Sequence, residues 1–301
     1  MVFSAPGQAL PHRSRQTLYP NHSKVVATAR PERTGTMHRF RDATQGGSVR
    51  RTGRSHLSEG IRAQHDPLTA GLPWYGWLFD RILAHTPDVA AVLEVGAGAG
   101  LLWTYNYDRL PMAWWVWLTD LSPDVVTELR NAVDGAPQVT VTQGEFADLP
   151  LGDSAFDTVV ANHLLEVLDD PSQALGEFER VLRPGGSILL AADGPTHLIE
   201  LDRLLAGRVE GWRPLEVPRY HLGNATTALA ERFAGVRLER FSEGFRLADA
   251  DAVVGLLGAV CGAQLSATHS REIRAEVAAV IERDGHFHLT TDTGLFVATA
   301  R

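Results

Sequence analysis

Three glycines at alternate positions, Gly96, Gly98 and Gly100, close a short apolar run from Ala91 to Val95. A turn without Cβ atoms can bend sharply after a strand and let a ligand approach its backbone. Asp120 ends a second apolar run about 20 residues further on, where a carboxylate can accept both hydroxyls of a ribose. A dinucleotide fingerprint would need its third glycine at position 101, which is Leu101, and a phosphate loop would need Gly-Lys-Ser/Thr, which is absent. Glu94, directly before the turn, opposes a pyrophosphate and suits positive charge. These features point to a cationic adenosine derivative. His163 and Glu166, one helical turn apart, are a second chemical pair: imidazole titrates near neutral pH, and the carboxyl could orient it or act alone.

The surrounding pattern alternates strands with helices. Strands are expected at Ala91 to Val95, Trp114 to Thr119, Val139 to Thr142, Phe156 to Ala161 and Ser187 to Ala192. Trp74, Trp77, Leu78, Ile82 and Leu83 recur at helical spacing behind Pro73. Ser122-Pro123-Asp124 caps a helix whose face is Val125, Val126, Leu129, Ala132 and Val133. Positions 174, 175, 178, 181 and 182 repeat that stripe before Pro184-Gly185-Gly186. Such alternation requires crossovers and a mostly parallel sheet covered on both faces. Val236 to Phe241 and Phe287 to Ala300 read as two further strands, with helices at Asp249 to Val260 and Ser270 to Arg283 between them. Residues 194–235 read as a helical or irregular insertion carrying Trp212, Arg213, Tyr220, His221 and Asn224, residue types that line a lid or an ordinary polar surface.

Of the 301 residues 44% are apolar and 21% charged, which excludes a wholly disordered chain. No window holds the roughly 18 uninterrupted apolar residues of a membrane helix, and no apolar signal core opens the chain, so a cytoplasmic protein is expected. The single cysteine, Cys261, excludes an intramolecular disulfide and a Cys-rich zinc cluster, and its apolar neighbours predict a buried, inert thiol. Residues 1–55 hold ten Lys/Arg against Glu32 and Asp42, a balance of +8 that leaves −16 on the remainder. This basic arm reads as a flexible tail, or as an over-long start with Met37 as an alternative; contact with nucleic acid is the competing reading. His286 and His288 alternate like a metal pair but lack an acidic or Cys partner, so no metal site is assigned.

Val92-Leu93-Glu94-Val95-Gly96-Ala97-Gly98-Ala99-Gly100 resembles the first motif of class I S-adenosylmethionine-dependent methyltransferases. Gln143 to Pro150, Ser154 to Val160, Leu164 to Asp170 and Arg180-Val181-Leu182-Arg183-Pro184-Gly185-Gly186 follow in that family's order. The resemblance covers about residues 72 to 193, and within the family it leans to the branch acting on quinones and other small molecules. It implies a Rossmann-like, seven-stranded, mostly parallel sheet with helices on both faces, its final hairpin reversing direction to leave the last strand antiparallel. Residues 56–301 would form this domain, with 194–235 as a helical lid.

The resemblance also implies site roles. Gly96, Ala97, Gly98 and Gly100 would approach the methionine and ribose of S-adenosylmethionine, and later S-adenosylhomocysteine. Glu94 would lie near its amino group and Asp120 on its ribose, with Leu121 beside it. Glu145 and Phe146, where the family usually has Asp and a small residue, would meet the adenine, and Asn162 the methionine end. His163 and Glu166 would serve catalysis. Trp74, Tyr75 and Trp103 could flank a flat acceptor or simply pack, and Arg213, Tyr220 and His221 could line the lid. Trp114, Trp115 and Trp117 are expected to pack. The expected function is methyl transfer to a small aromatic or heteroaromatic metabolite, without a metal. An RNA methyltransferase using the arm and a non-catalytic cofactor-binding protein are the rivals, and a homodimer is left open.

Overall fold

The computed structural model describes residues 73–168, 170–209, 217, 219–261 and 265–301. The basic arm, Trp212 and Arg213 lie outside the described residues, as does the Cys261 side chain. A seven-stranded sheet forms the centre, built from β1 (Ala90–Val95), β2 (Trp114–Asp120), β3 (Val139–Gln143), β4 (Phe156–Asn162), β5 (Leu182–Asp193), β6 (Phe233–Phe241) and β9 (Thr293–Ala300). Their spatial order is β3-β2-β1-β4-β5-β9-β6. Neighbouring strands from β3 to β5 are parallel, and β9 is antiparallel to both β5 and β6. Only the last strand therefore reverses within this sheet, and β6 keeps the common direction.

Alternation along the central strands builds two cores. Leu93 and Val95 of β1 and Val159 and Ala161 of β4 face one way, where α4 (Ser172–Val181) and α6 (Ala225–Arg232) pack. Val92 and Val160 face the other, against α1 (Pro73–His85), α2 (Leu101–Tyr105) and α3 (Pro123–Ala132). Burial on both faces is why these strands read as continuous apolar runs. The Ser122 side chain caps α3 at Val125 N, with Pro123 in the first turn, as the sequence requires. Trp114 is buried and Trp117 meets Phe156 edge-on, whereas Trp115 is 41% exposed at the end of the sheet remote from the glycine turn.

Three expectations change. Phe287 to Ala300 is two strands: β8 (Phe287–Leu289) pairs with β7 (Phe245–Leu247) in a separate ribbon, and β9 enters the main sheet. The break is anchored by Glu200, which accepts from Thr290 N and Oγ1 at 2.8 and 2.6 Å. Second, residues 225–232 are α6, which packs on β6 beneath the sheet, and β6 itself starts at Phe233. Third, a further core joins α5 (Ile199–Leu205), β7, α7 (Ala250–Cys261), α8 (Ala267–Asp284) and β8 through Leu201, Leu205, Val253, Leu257, Ile273 and Val277. This cap hangs from the carboxyl ends of β5 and β6 and the start of β9, the same end of the sheet as the glycine turn.

Candidate active site

Chain order reverses between β1 and β4: β2 and β3 lie on one side of β1, and β4 and β5 on the other. A crevice opens outside the carboxyl ends at such a point. The glycine turn follows β1, with φ of 74°, 53° and 72° at Gly96, Gly98 and Gly100, a left-handed backbone that side chains with a Cβ rarely adopt. Gly96 N and Ala97 N both donate to Thr119 O at 2.9 Å, tying the turn to β2. Gly98 N donates to Asp120 Oδ2 at 3.1 Å, and Ser122 N to Asp120 Oδ1 at 3.0 Å. A Cβ on Gly100 would overlap the Leu129 side chain, while one on Gly98 would meet nothing within 4 Å. The turn is packed from below and open at Gly98.

Glu94 is only 2% exposed, and Trp103 Nε1 donates to its Oε2 at 2.5 Å. Burial pushes this carboxyl up to about 8; the Trp103 hydrogen bond opposes that shift, and the Asp120 charge adds to it. Trp103 is buried against Phe79, on the glycine-turn side of the sheet. Leu121 is exposed, and its carbonyl accepts from Gln143 Nε2. Glu145 is half-buried and bridges Asp148 through the backbone, while the Phe146 side chain is core. Arg180 braces the segment that follows this turn: it donates to Leu149 O and Leu151 O and pairs with Glu177 and Asp153.

His163 follows β4 with φ of 58°, and its N–H is held by Ala191 O at 3.1 Å. Its ring is buried, with Nδ1 2.6 Å from Glu166 Oε1 and 3.6 Å from Asp193 Oδ1. The Trp74 ring lies 5.5 Å away, tilted by 50°, and Trp74 also packs on Trp77 and Phe241. Among the described residues, two buried polar atoms flanking this histidine lack hydrogen-bond partners: Asn162 Oδ1 and Trp74 Nε1. The ligating atoms of His163, Glu166 and Asp193 all lie within 4.8 Å of one another, close enough to share an ion.

The structure thus gathers Glu94, Gly96, Ala97, Gly98, Gly100, Asp120, Leu121, Asn162, His163 and Glu166 around the ends of three adjacent strands. Tyr75 is buried, and its carbonyl accepts from Asn106 Nδ2. Tyr220 and His221 are half-exposed in a turn pinned by Asn224, whose amide reaches Arg219 O, and by Leu222 N on Asp193 O. Sequence reasoning missed Asp193, His197 and Thr293, all buried, Asp193 beside His163 and the other two beside Asp193. The four-residue spacing of Asp193 and His197 was a visible signal; nothing local marked Thr293.

A family model described as "Methyltransferase domain" matches residues 93–190. A Mycobacterium tuberculosis protein named "Probable S-adenosylmethionine-dependent methyltransferase Rv3030" is 32% identical over 200 residues, 64% of this chain and 68% of that protein. A Methylococcus capsulatus malonyl-[acyl-carrier protein] O-methyltransferase is 28% identical over 153 residues, 51% of this chain and 55% of that protein. The chain spans 21% of the length of one curated relative, a Streptomyces fradiae transposon protein, and 68% of the Mycobacterium tuberculosis one. The solved structure of Bacillus subtilis YcgJ shares the fold at 18% identity, with a TM-score of 0.51 over 75% of this chain and 99% of that one.

Proposed function

The chain belongs to the class I S-adenosylmethionine-dependent methyltransferases, and on that premise we propose that it methylates a small, flat aromatic or heteroaromatic metabolite at carbon, nitrogen or oxygen. The observation that carries this reading is the open, left-handed glycine turn beside Asp120, one strand away from the buried His163–Glu166 pair. The residues fit the cofactor. Gly98 leaves room above the turn, and Asn162 Oδ1 is a buried acceptor awaiting a donor such as an ammonium group.

When bound, S-adenosylmethionine supplies an electrophilic methyl on a sulfonium sulfur. Asp120 would hold the ribose hydroxyls in place of its bond to the Gly98 amide, and Glu94 would lie toward the ammonium. Since a carboxylate only accepts, the short contact from Glu166 places the hydrogen of His163 on Nδ1 and makes Nε2 the basic nitrogen, suited to take a proton from the acceptor. Trp74 and Tyr75 on α1, with Tyr220 and His221 at the foot of the cap, complete the acceptor side. Burial excludes water from the transfer and leaves alignment to supply much of the rate.

Calorimetric titration with S-adenosylmethionine and S-adenosylhomocysteine tests the cofactor, and heat with NADH alone would refute it. Asp120→Ala should weaken cofactor affinity by about 1–3 kcal/mol, because the ribose hydroxyls lose their acceptor. Incubation with methyl-labelled cofactor and a metabolite extract, read by product mass, identifies the acceptor; label appearing only in RNA or protein would overturn the small-molecule reading.

A further inference from the structure

Asp193, at the end of β5, touches both members of the His163–Glu166 pair. Its backbone N–H donates to Glu166 Oε2 at 3.1 Å, and its Oδ1 lies 3.6 Å from His163 Nδ1. Two groups flank that carboxylate in turn. Thr293 Oγ1, at the start of β9, donates to Asp193 Oδ1 at 2.6 Å, and His197 Nε2 lies 3.5 Å from Oδ2. Thr293 has one hydroxyl hydrogen, and Asp193 receives it. The 3.1 Å contact between Thr293 Oγ1 and His197 Nδ1 is therefore donated by the histidine, which braces the threonine hydroxyl; its Nε2 carries a hydrogen toward Asp193 only in the doubly protonated ring. All five side chains are buried.

Resting on the reading that His163 receives the acceptor's proton, we infer that Asp193, held by Thr293 with His197 braced behind that hydroxyl, is a positioning residue that helps lock the His163 ring with its hydrogen on Nδ1 and its basic nitrogen at Nε2. Two carboxylates converge on the same ring nitrogen, so a flipped ring would set buried acceptors against a carbon-bound hydrogen. Asp193 also fixes Glu166 through its own backbone, so a shift of β5 moves both partners of Nδ1 together. Thr293 and His197 come from segments that root the cap, since His197 immediately precedes Leu198, whose N–H bonds Thr290 O across to the β8–β9 link. The cap and the sheet thus meet on the carboxylate that orients the histidine.

The test is nitrogen-15 NMR of the imidazoles in the full-length protein at mildly alkaline pH, with the His163 signals identified by their loss in His163→Gln. The native protein should show the Nδ1–H form in excess by about tenfold or more. Thr293→Val, which keeps the shape and removes the donor, should lower that excess several-fold without abolishing it, because Glu166 still accepts from Nδ1, and Thr293→Ser should restore the native ratio. Asp193→Asn should act as Thr293→Val does; if it fails to fold, the Thr293 pair decides. An unchanged His163 tautomer in folded Thr293→Val overturns the inference. Calorimetry with S-adenosylhomocysteine on the same samples separates the two readings. Absent heat in the native protein removes the methyltransferase premise, whereas normal heat with an unmoved tautomer removes only the positioning role.

Discussion

A carboxyl group buried beside a glycine turn must keep its proton or find a cation, and Glu94 sits at that choice with its titration raised from 4.5 to about 8, chiefly by burial. In the unfolded chain the group ionises near 4.5, so its contribution to stability is full below that pH and is lost as pH rises through about 8. A cationic ligand favours the ionised form, so binding near neutrality should release a proton. Cofactor affinity should then rise between pH about 6 and about 7.5, by at most about tenfold per unit, and Glu94→Gln should flatten the profile. Calorimetry in buffers of different ionisation heat measures the released proton, and a flat native profile would refute the coupling. The glycines divide by what surrounds them. Gly98→Ala places a methyl in open space at a left-handed φ, so it should cost about 1–2 kcal/mol of stability and should weaken cofactor binding disproportionately. Gly100→Ala adds overlap with buried Leu129 and should cost about 1–3 kcal/mol more. Denaturant melts paired with titrations separate these effects.

Elements act through what they bury together. The cap core draws α5 from before β6 in the chain and β7, α7, α8 and β8 from after it, and Leu257 is fully buried within it. Leu257→Ala should destabilise this unit by about 2–5 kcal/mol, because the cavity it leaves is enclosed. Hydrogen exchange should speed up in α5, α7 and α8 while β1 and β4 keep their protection and S-adenosylmethionine heat is retained. Equal loosening of the central sheet would mean that cap and sheet are one cooperative unit. Helix α1 has a different part, since its Trp74 closes over His163 while Phe79 and Ile82 anchor it on the sheet.

At the scale of the whole molecule, charge is segregated: +8 on residues 1–55 against −16 on the rest. An acidic body repels a phosphate backbone, which disfavours an RNA acceptor. Removal of residues 1–55 should leave S-adenosylmethionine binding and the main thermal transition intact, because that composition offers little apolar surface to a core. Full-length protein that binds an oligonucleotide with steep salt dependence, lost on truncation, would favour the RNA reading instead.

Local rules were enough for β1, β2, β4, α3, α4 and the glycine turn, because strand alternation, helix caps and the φ demands of glycine act over a few residues and are written in short windows. The resemblance carried by the motifs extended that reading to the family. What only the tertiary structure decided depends on residues far apart in the chain. Phe287 to Ala300 reads as one strand, yet Glu200 captures Thr290 and splits it between two sheets. The aromatic Trp103 could have faced an acceptor, but Glu94, nine positions away, takes its indole N–H into the core. Asp193 and Thr293, 100 residues apart, meet only because β9 pairs with β5. Hydrogen-bond demand and burial are settled by whichever partner the folded chain brings within reach, and sequence periodicity carries no record of that choice.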